Sequence, residues 1–441
     1  MARNILAITL CLFLLGGCAS ISMNAEDLLV PPRLNQRQTM VEEALQATVS
    51  PSDILYQYPQ RGDYRSPFVF FDMDNDGLQE AIVFYTHRLE DEMVRAKVLR
   101  ETKDGLFEQV RDITGSGDQV DFIQFSHLLD RDAYSLLIGW HNTRKDTSTL
   151  GVYTYQGGDW TREAQMSYES LNVDNYFGDG LNEILLIRQD SSNYYQLTLL
   201  GRTVDGRLSV LGELPLSPDM TSVLQMCRGR LEDGYAVYID QRRADTYTAT
   251  EVVSVSRNGL QSLVGEVNFE LYSETFREEE VLSVDLQEDG NVEIPTHSEL
   301  PGYLSEDELE PPPLTNYIRL DTSADQSGYS FQRVYSAAVN EEAGYLVFFP
   351  ERWVGNVTIR RRPESNEWRF YKVDPVTDFA TTELLRIGVY STRDYQDQFT
   401  RNYIDLVQRG MFQYKAYIPA TTGEPLAITQ RELETQLFLL L

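Results

Sequence analysis

The chain has 441 residues, with 38 basic, 68 acidic and four histidine side chains and a net charge of −30. So anionic a protein lacks the basic footprint that phosphate backbones require, which excludes nucleic-acid binding; three cysteines exclude a disulfide scaffold, and four dispersed histidines exclude a histidine-rich metal centre. At 42% apolar and 24% charged, the composition is that of a globular protein with length for two or three domains.

The chain opens Met1-Ala2-Arg3-Asn4, runs apolar over 5–15 and reaches Gly16-Gly17-Cys18. One positive charge, a short apolar run and small residues before a cut site mark a secretory signal, and the run is too short to span a bilayer. Leu15-Gly16-Gly17-Cys18 resembles the bacterial lipobox. That resemblance implies removal of residues 1–17, acylation of Cys18 and an extracytoplasmic body anchored to the membrane by lipid. An anionic body is not drawn to an anionic leaflet, so the lipid is the tether. Residues 18–65 are then the lipidated cysteine, a spacer containing Pro31-Pro32, and an amphipathic helix over 36–47 with Met40, Val41, Ala44 and Leu45 on its apolar side.

Beyond Pro67 the pattern turns to short β-branched and aromatic runs between turn residues. Groups of four strands are expected at 68–71, 81–85, 94–99 and 106–110; at 122–125, 134–140, 150–155 and 160–166; at 170–173, 183–187, 195–200 and 208–214; and at 223–227, 235–240, 248–255 and 260–267. A fifth group takes 281–285, 292–295, 317–320 and 329–336. A four-strand unit recurring at a period of about 50 residues points to a mainly β fold, a β-propeller of about five blades over 66–340. A large β-sandwich gives similar turn spacing and stays open as the alternative. The fifth group is interrupted by Ser305-Glu306-Asp307-Glu308-Leu309-Glu310-Pro311-Pro312-Pro313, whose charge and prolines suit a mobile loop.

After Asn340 the repeat is expected to stop. Strands at 345–349, 357–361, 368–373, 384–390 and 412–418, a helix within 394–408 and a last helix make a small α+β domain over 341–441. Thr429-Gln430-Arg431-Glu432 has capping-box spacing, and Leu433, Leu437 and Leu440 follow near one helical face. This part resembles a C-terminal unit of uncharacterised lipoproteins of Gram-positive anaerobes.

One motif carries chemistry. Asp72-Met73-Asp74-Asn75-Asp76-Gly77-Leu78-Gln79-Glu80 sets carboxylates at positions 1, 3, 5 and 9 of a single loop, and Gly77 permits a sharp turn. Alternate spacing turns Asp72, Asp74 and Asp76 toward a common centre; hard oxygen ligands of that number suit calcium, with the Leu78 carbonyl as a further ligand and Glu80 closing the set. Position 12 is Val83, inside an apolar strand, so an EF-hand is excluded. Strands on both sides make the loop resemble the FG-GAP or VCBS-type calcium loop of integrin-like β-propellers. Asp285, Gln287, Asp289 and Glu293 occupy the same frame in 285–293, with Gln287 weakening the charge; aligned on Gly180, a third loop has Asn175 and Phe177 where ligands are needed.

No His-Glu-x-x-His, Gly-x-Ser-x-Gly or Ser-x-x-Lys occurs, so the commonest hydrolase templates are missing. Cys227, within an apolar run, reads as a structural thiol; His87, His127, His141 and His297 read as structural strand residues, and the tryptophans and most tyrosines as core. The expected function is a noncatalytic binding or scaffold role at the cell surface with calcium as a structural ion and an envelope protein or glycan as partner. The alternative is a cell-envelope carbohydrate hydrolase or lyase using carboxylates at the propeller's central face.

Overall fold

The computed structural model describes residues 34–88, 93–156, 159–244, 246–278, 280–304, 309–322, 328–392 and 402–441. The signal segment, Cys18, nearly all of the spacer, residues 305–308 of the acidic run and 394–401 of the expected helix lie outside the described residues. No helix among the described residues is long and apolar enough to cross a membrane. The chain falls into two compact units, residues 1–58, 66–72 and 76–115, and residues 59–65, 73–75 and 116–441.

In the first unit helix α1 (Gln36–Gln46) begins at a full capping box: the Asn35 side chain accepts from the Gln38 N–H at 2.9 Å and the Gln38 side chain from the Asn35 N–H at 3.0 Å. The helix buries Val41 and Leu45 against one face of a sheet built from β1 (Ile54–Tyr56), β2 (Phe68–Phe71), β3 (Glu80–His87), β4 (Arg95–Glu101) and β5 (Phe107–Thr114). β1 and β2 share one edge of β3, and β4 and β5 follow antiparallel on the other. The odd residues of β3, Ala81, Val83 and Tyr85, meet the helix, as the two-residue period of a strand requires.

The second unit repeats an antiparallel meander. β6 (Gln119–Ser126), β7 (Ser135–Asn142), β8 (Thr147–Gln156) and β9 (Asp159–Tyr168) form one sheet, and β10 (Ser170–Asp174), β11 (Glu183–Gln189), β12 (Tyr195–Arg202) and β13 (Leu208–Pro215) the next. β14 (Met220–Leu231), β15 (Gly234–Arg243), β16 (Tyr247–Ser256) and β17 (Gly259–Val264) form a third, followed by the short helix α2 (Phe269–Ser273). Then come β18 (Ile294–Ser298), β19 (Leu314–Asp321), β20 (Ser330–Asn340) and β21 (Tyr345–Phe348). The last sheet has β22 (Val357–Arg362), β23 (Glu367–Val373), β24 (Ala380–Ser391), β25 (Ile404–Arg409) and β26 (Phe412–Tyr417) in the order β22-β23-β24-β26-β25.

Each sheet is apolar on both faces, and neighbouring sheets in the sequence share a core. In β11, Ile184 and Leu186 pack with Phe122, Leu137 and Val152 of the preceding sheet, while Leu185 and Ile187 pack with Val237, Ile239 and Val253 of the following one. Ala236, Tyr238 and Val252 then face Ile294, Ile318 and Leu320, and Leu314, Ala338, Tyr345 and Val347 face Ile359, Phe370, Leu385 and Ile387. A sandwich has only two layers; this chain of doubly shared sheets is the blade packing of a β-propeller, the fold class expected.

The structure differs from the sequence reading in its last third. Residues 281–285 do not form a strand; only Val284 bridges Glu293, and the fifth group starts instead at β18. The meander does not stop at Asn340, because β20 continues into β21 through a tight turn and β22 to β26 supply a further sheet. Residues 404–408, read as part of a helix, lie in strand β25, which pairs with β26. The C-terminal part is α+β in makeup: Thr429 caps the short helix α3 (Gln430–Glu432) by accepting from the Glu432 N–H at 3.1 Å, and a π-turn follows over 433–437. Glu432 does not reach back to the cap; it pairs with Arg352 at 2.5 Å. Leu433 and Leu437 are buried as expected, but Leu440 sits in a strand, β27 (Phe438–Leu440), which adds to β21.

The link between the third and fourth sheets of this unit is held by a fully buried ion pair. Arg277 donates to Asp240 at 2.8 Å, to Thr250 Oγ1 at 3.0 Å, and to the carbonyls of Thr275 and Val281. Asp240 also accepts from the Thr250 hydroxyl at 2.6 Å and from the Ser283 hydroxyl and N–H at 2.8 and 2.7 Å. A buried pair with every lone pair used costs little to keep and much to break. Arg277→Met, which strands a buried carboxylate, is expected to lose about 3–5 kcal/mol in urea unfolding. Asp240→Leu combined with Arg277→Met is expected to recover most of that loss.

Candidate functional site

The acidic loop at 72–80 joins β2 to β3. Its turn is made by its own carboxylates: Asp72 accepts from the N–H groups of Asp76 (3.1 Å) and Gly77 (2.9 Å), and Asp76 accepts from the N–H of Leu78 (2.8 Å). Asn75 and Gly77 take φ values of 59° and 87°, a conformation in which asparagine and glycine are tolerated best. Asp72, Asp74 and Glu80 each bring a ligand oxygen within 4.8 Å of the others, the one grouping of three or more His, Cys, Asp or Glu ligands among the described residues. Asp76, also expected as a ligand, is not in that group. Glu80 is 1% exposed. Three hard oxygen donors fit a calcium ion.

The loop at 285–293 has the same backbone frame. Asp285 accepts from Asp289 and Gly290 at 3.0 and 2.7 Å, Asp289 from Asn291 at 2.8 Å, and Glu288 and Gly290 take φ values of 55° and 86°. Here, however, Arg319 of β19 donates to Glu293 through Nε at 3.1 Å and through a second nitrogen, and stands 3.6 Å from Asp289. Gln287 holds the place of Asp74 and brings no charge. The countercharge that calcium would supply is already present as a guanidinium.

A third copy at 175–183 retains the frame without acids at positions 1 and 3. Asn175 accepts from Asp179 at 3.1 Å and Asp179 from Leu181 at 2.9 Å, with Gly178 and Gly180 at φ values of 67° and 87°. Arg257 pairs with the Asp179 carboxylate and stacks 5.0 Å over Phe177, which fills position 3. Glu183, at position 9, accepts from the N–H groups of Tyr176 and Phe177 at 2.9 and 3.2 Å. The sequence signals the shared turn through its glycines, but Arg319 and Arg257 were missed as countercharges because both come from other hairpins.

In the cleft between the last two sheets, a cavity of about 1040 Å³ is lined by Arg361, Arg362, Trp368, Arg409, Tyr414 and the Pro311–Pro313 wall, with Glu367 in its floor. Glu367 accepts from the hydroxyls of Tyr390 (2.8 Å), Tyr403 (2.7 Å) and Ser365 (3.0 Å) and from Arg369 (2.7 Å). Burial by itself would raise its pKa; the bonds from Tyr403, Arg369, Tyr390 and Ser365 outweigh burial and hold it below the ordinary carboxyl value.

Of the residues read as structural, His297 and Trp368 line this cavity, and others are held as follows. Burial pushes the Cys227 thiol up to about 12, far from a nucleophile's range. His127 contacts the Ala133 carbonyl at 3.0 Å and His141 the Ser148 hydroxyl at 3.1 Å. Trp140 and Trp353 are buried, and Trp160 stacks on Tyr155.

No protein-family model matches this chain, and no curated protein does. Among solved structures, a Bacteroides fragilis protein named as a candidate 6-phosphogluconolactonase matches with a TM-score of 0.32 at 10% identity, over 76% of this chain and 94% of that one. Sqt1 from Chaetomium thermophilum matches with a TM-score of 0.33 at 10% identity, over 80% and 97%. The rhamnogalacturonan lyase YesW matches with a TM-score of 0.31 at 10% identity, over 75% and 83%. Likeness this distant carries no statement about activity.

The third loop yields a pH test. Burial raises the Glu183 carboxyl from its ordinary 4.5 to about 7, against the two backbone N–H bonds that lower it. A carboxyl raised in the fold contributes stability that is complete below its unfolded value and is lost as pH rises through the folded one. Glu183→Gln, which stays neutral and keeps an accepting oxygen, is therefore expected to gain on the native chain between about pH 5 and about pH 8. The gain, read from urea midpoints at each pH, is expected to be about 1–2 kcal/mol after allowance for solvent screening.

Proposed function

We propose that this chain is a lipid-anchored, extracytoplasmic binding protein in which one calcium ion sets a blade of the propeller. The observation that carries the reading is the approach of Asp72, Asp74 and Glu80 to within 4.8 Å of one another in a loop whose turn is independently fixed. Calcium there would bind a buried carboxylate at the first residue of β3 and tie both ends of the loop to it, a structural task with no reacting substrate. The other two loops of this frame have Phe177 and Gln287 in place of Asp74, so one ion per chain is expected.

The most enclosed carboxylate of the cleft, Glu367, does not suit the role of a general acid. A general acid must be protonated at working pH, and Glu367 is held ionised by four side-chain donors. The lipobox at Leu15-Gly16-Gly17-Cys18 supports the address.

Extracellular calcium modules bind at roughly 0.1–1 mM, so about 1 mM calcium would stabilise by at most about 1.4 kcal/mol per site. The full-length chain in detergent is expected to melt a few degrees lower with chelator than with calcium. Asp74→Asn in calcium is expected to match the chelated native chain, and Glu293→Gln to leave the calcium response unchanged. A melting temperature indifferent to calcium would remove the ion from this reading. Separately, Cys18→Ala is expected to abolish acylation and move the protein from the membrane to the soluble fraction, scored by fractionation and intact mass.

A further inference from the structure

Arginine outnumbers lysine 33 to five in this chain, and the net charge is −30, so a guanidinium normally finds an acid. In and just before the last sheet, Arg352 pairs with Glu432, Arg369 with Glu367 and Arg386 with Glu383. Arg361 and Arg362, at the end of β22, are different: neither side chain makes a hydrogen bond or ion pair with any described residue, and Arg361 Nε is buried without an acceptor. Both line the 1040 Å³ cavity, a volume sufficient for an oligosaccharide segment or a drug-sized ligand. Pro363 ends the strand directly after them, which lets neighbouring residues of opposite facing border one space.

The rest of the wall defines what the guanidiniums would meet. Arg361 lies opposite Trp368 in the β22–β23 register, and Arg362 opposite Glu367. Trp368 and Tyr414 supply aromatic surface, on which the apolar face of a sugar ring stacks as it does on other aromatic side chains. Glu367 is saturated by its own donors, so it does not neutralise the arginines. Glu341 and Glu342 line the cavity from exposed positions; they accept hydroxyl hydrogen bonds and repel a ligand of dense charge. A phosphate-rich ligand is disfavoured by that rim and by the charge of the whole chain, whereas a planar carboxylate matches the fork of an arginine.

We propose that this cleft binds an acidic sugar, a uronate residue whose carboxylate is received by Arg361 and Arg362 while its ring lies against Trp368. The proposal rests on the binding-protein reading and names the ligand class for it.

The test is calorimetric titration of the full-length chain, in detergent and saturating calcium, with trigalacturonate, with neutral galactotriose and with triglycine. Trigalacturonate is expected to bind at least ten-fold more tightly than galactotriose and to weaken with salt. The double variant Arg361→Gln, Arg362→Gln is expected to lose that preference; Trp368→Ala is expected to weaken both sugars. Equal affinity for the two sugars, an unchanged preference in the double variant, or triglycine binding as tightly as trigalacturonate would each overturn the proposal. The calcium-dependent melting of each variant is read alongside. A normal calcium response without sugar preference sinks the cleft and leaves the calcium reading standing, and the reverse pattern does the opposite.

Discussion

A sheet with two apolar faces cannot stand alone in water, and that constraint organises the second unit. β11 runs Glu183-Ile184-Leu185-Leu186-Ile187 with no alternation of polar and apolar residues, so both of its faces need cover. Ile184 and Leu186 find it in the sheet before, Leu185 and Ile187 in the sheet after. The same solution recurs through the unit because each new sheet also arrives with two faces to bury. In the first unit a helix provides one cover instead, with Val41 and Leu45 meeting Ala81, Val83 and Tyr85. The connection before β18, which buries Leu271 and Tyr272 in the same core, is also fastened by the Asp240–Arg277 pair.

Repetition of the sheets repeats the turns that join their strands. Three of those turns, at 72–80, 175–183 and 285–293, share one hydrogen-bond frame in which the position-1 side chain organises the loop and the position-9 glutamate stands at, or just before, the start of the next strand. What varies is how the negative charge is balanced. Asp179 meets Arg257, Glu293 meets Arg319, and Glu183 rests partly on backbone N–H groups. Only the loop at 72–80 has an acid at position 3, where the other two have Phe177 and Gln287. The motif is thus first a turn and only secondarily an ion site, because the bonds that shape it are internal to the loop.

The strands from 68 to 264 were legible because continuous β-branched and aromatic runs between Gly and Asp turns leave few alternatives, and α1 was legible from Met40, Val41, Ala44 and Leu45. The acidic loops were legible as spacing. What was not legible depended on partners distant in sequence. Ile404, Leu406 and Val407 fit a helical stripe as well as a strand, and only pairing with β26 decides. Leu440 continues the helical period of Leu433 and Leu437, yet its backbone pairs with Tyr345. Arg319 could not be assigned to Glu293, 26 positions earlier, without the register that aligns β18 and β19. The open cleft escaped notice for the same reason: which arginines lack a partner is visible only once the sheets have brought distant side chains together.

The addition of β27 to β21 has a bearing on how the chain matures. Tyr345, Leu346 and Val347 are made long before Phe438, Leu439 and Leu440 exist to pair with them. Until then β21 is a sheet edge with unpaired backbone groups and large apolar side chains, the kind of surface on which chains join one another. A polypeptide emerging from its N-terminus would pass through that state with its earlier sheets already closing. The closing strand is a late, long-range contact, so the interval before it forms is when this protein would be most in need of a chaperone and most open to proteolysis.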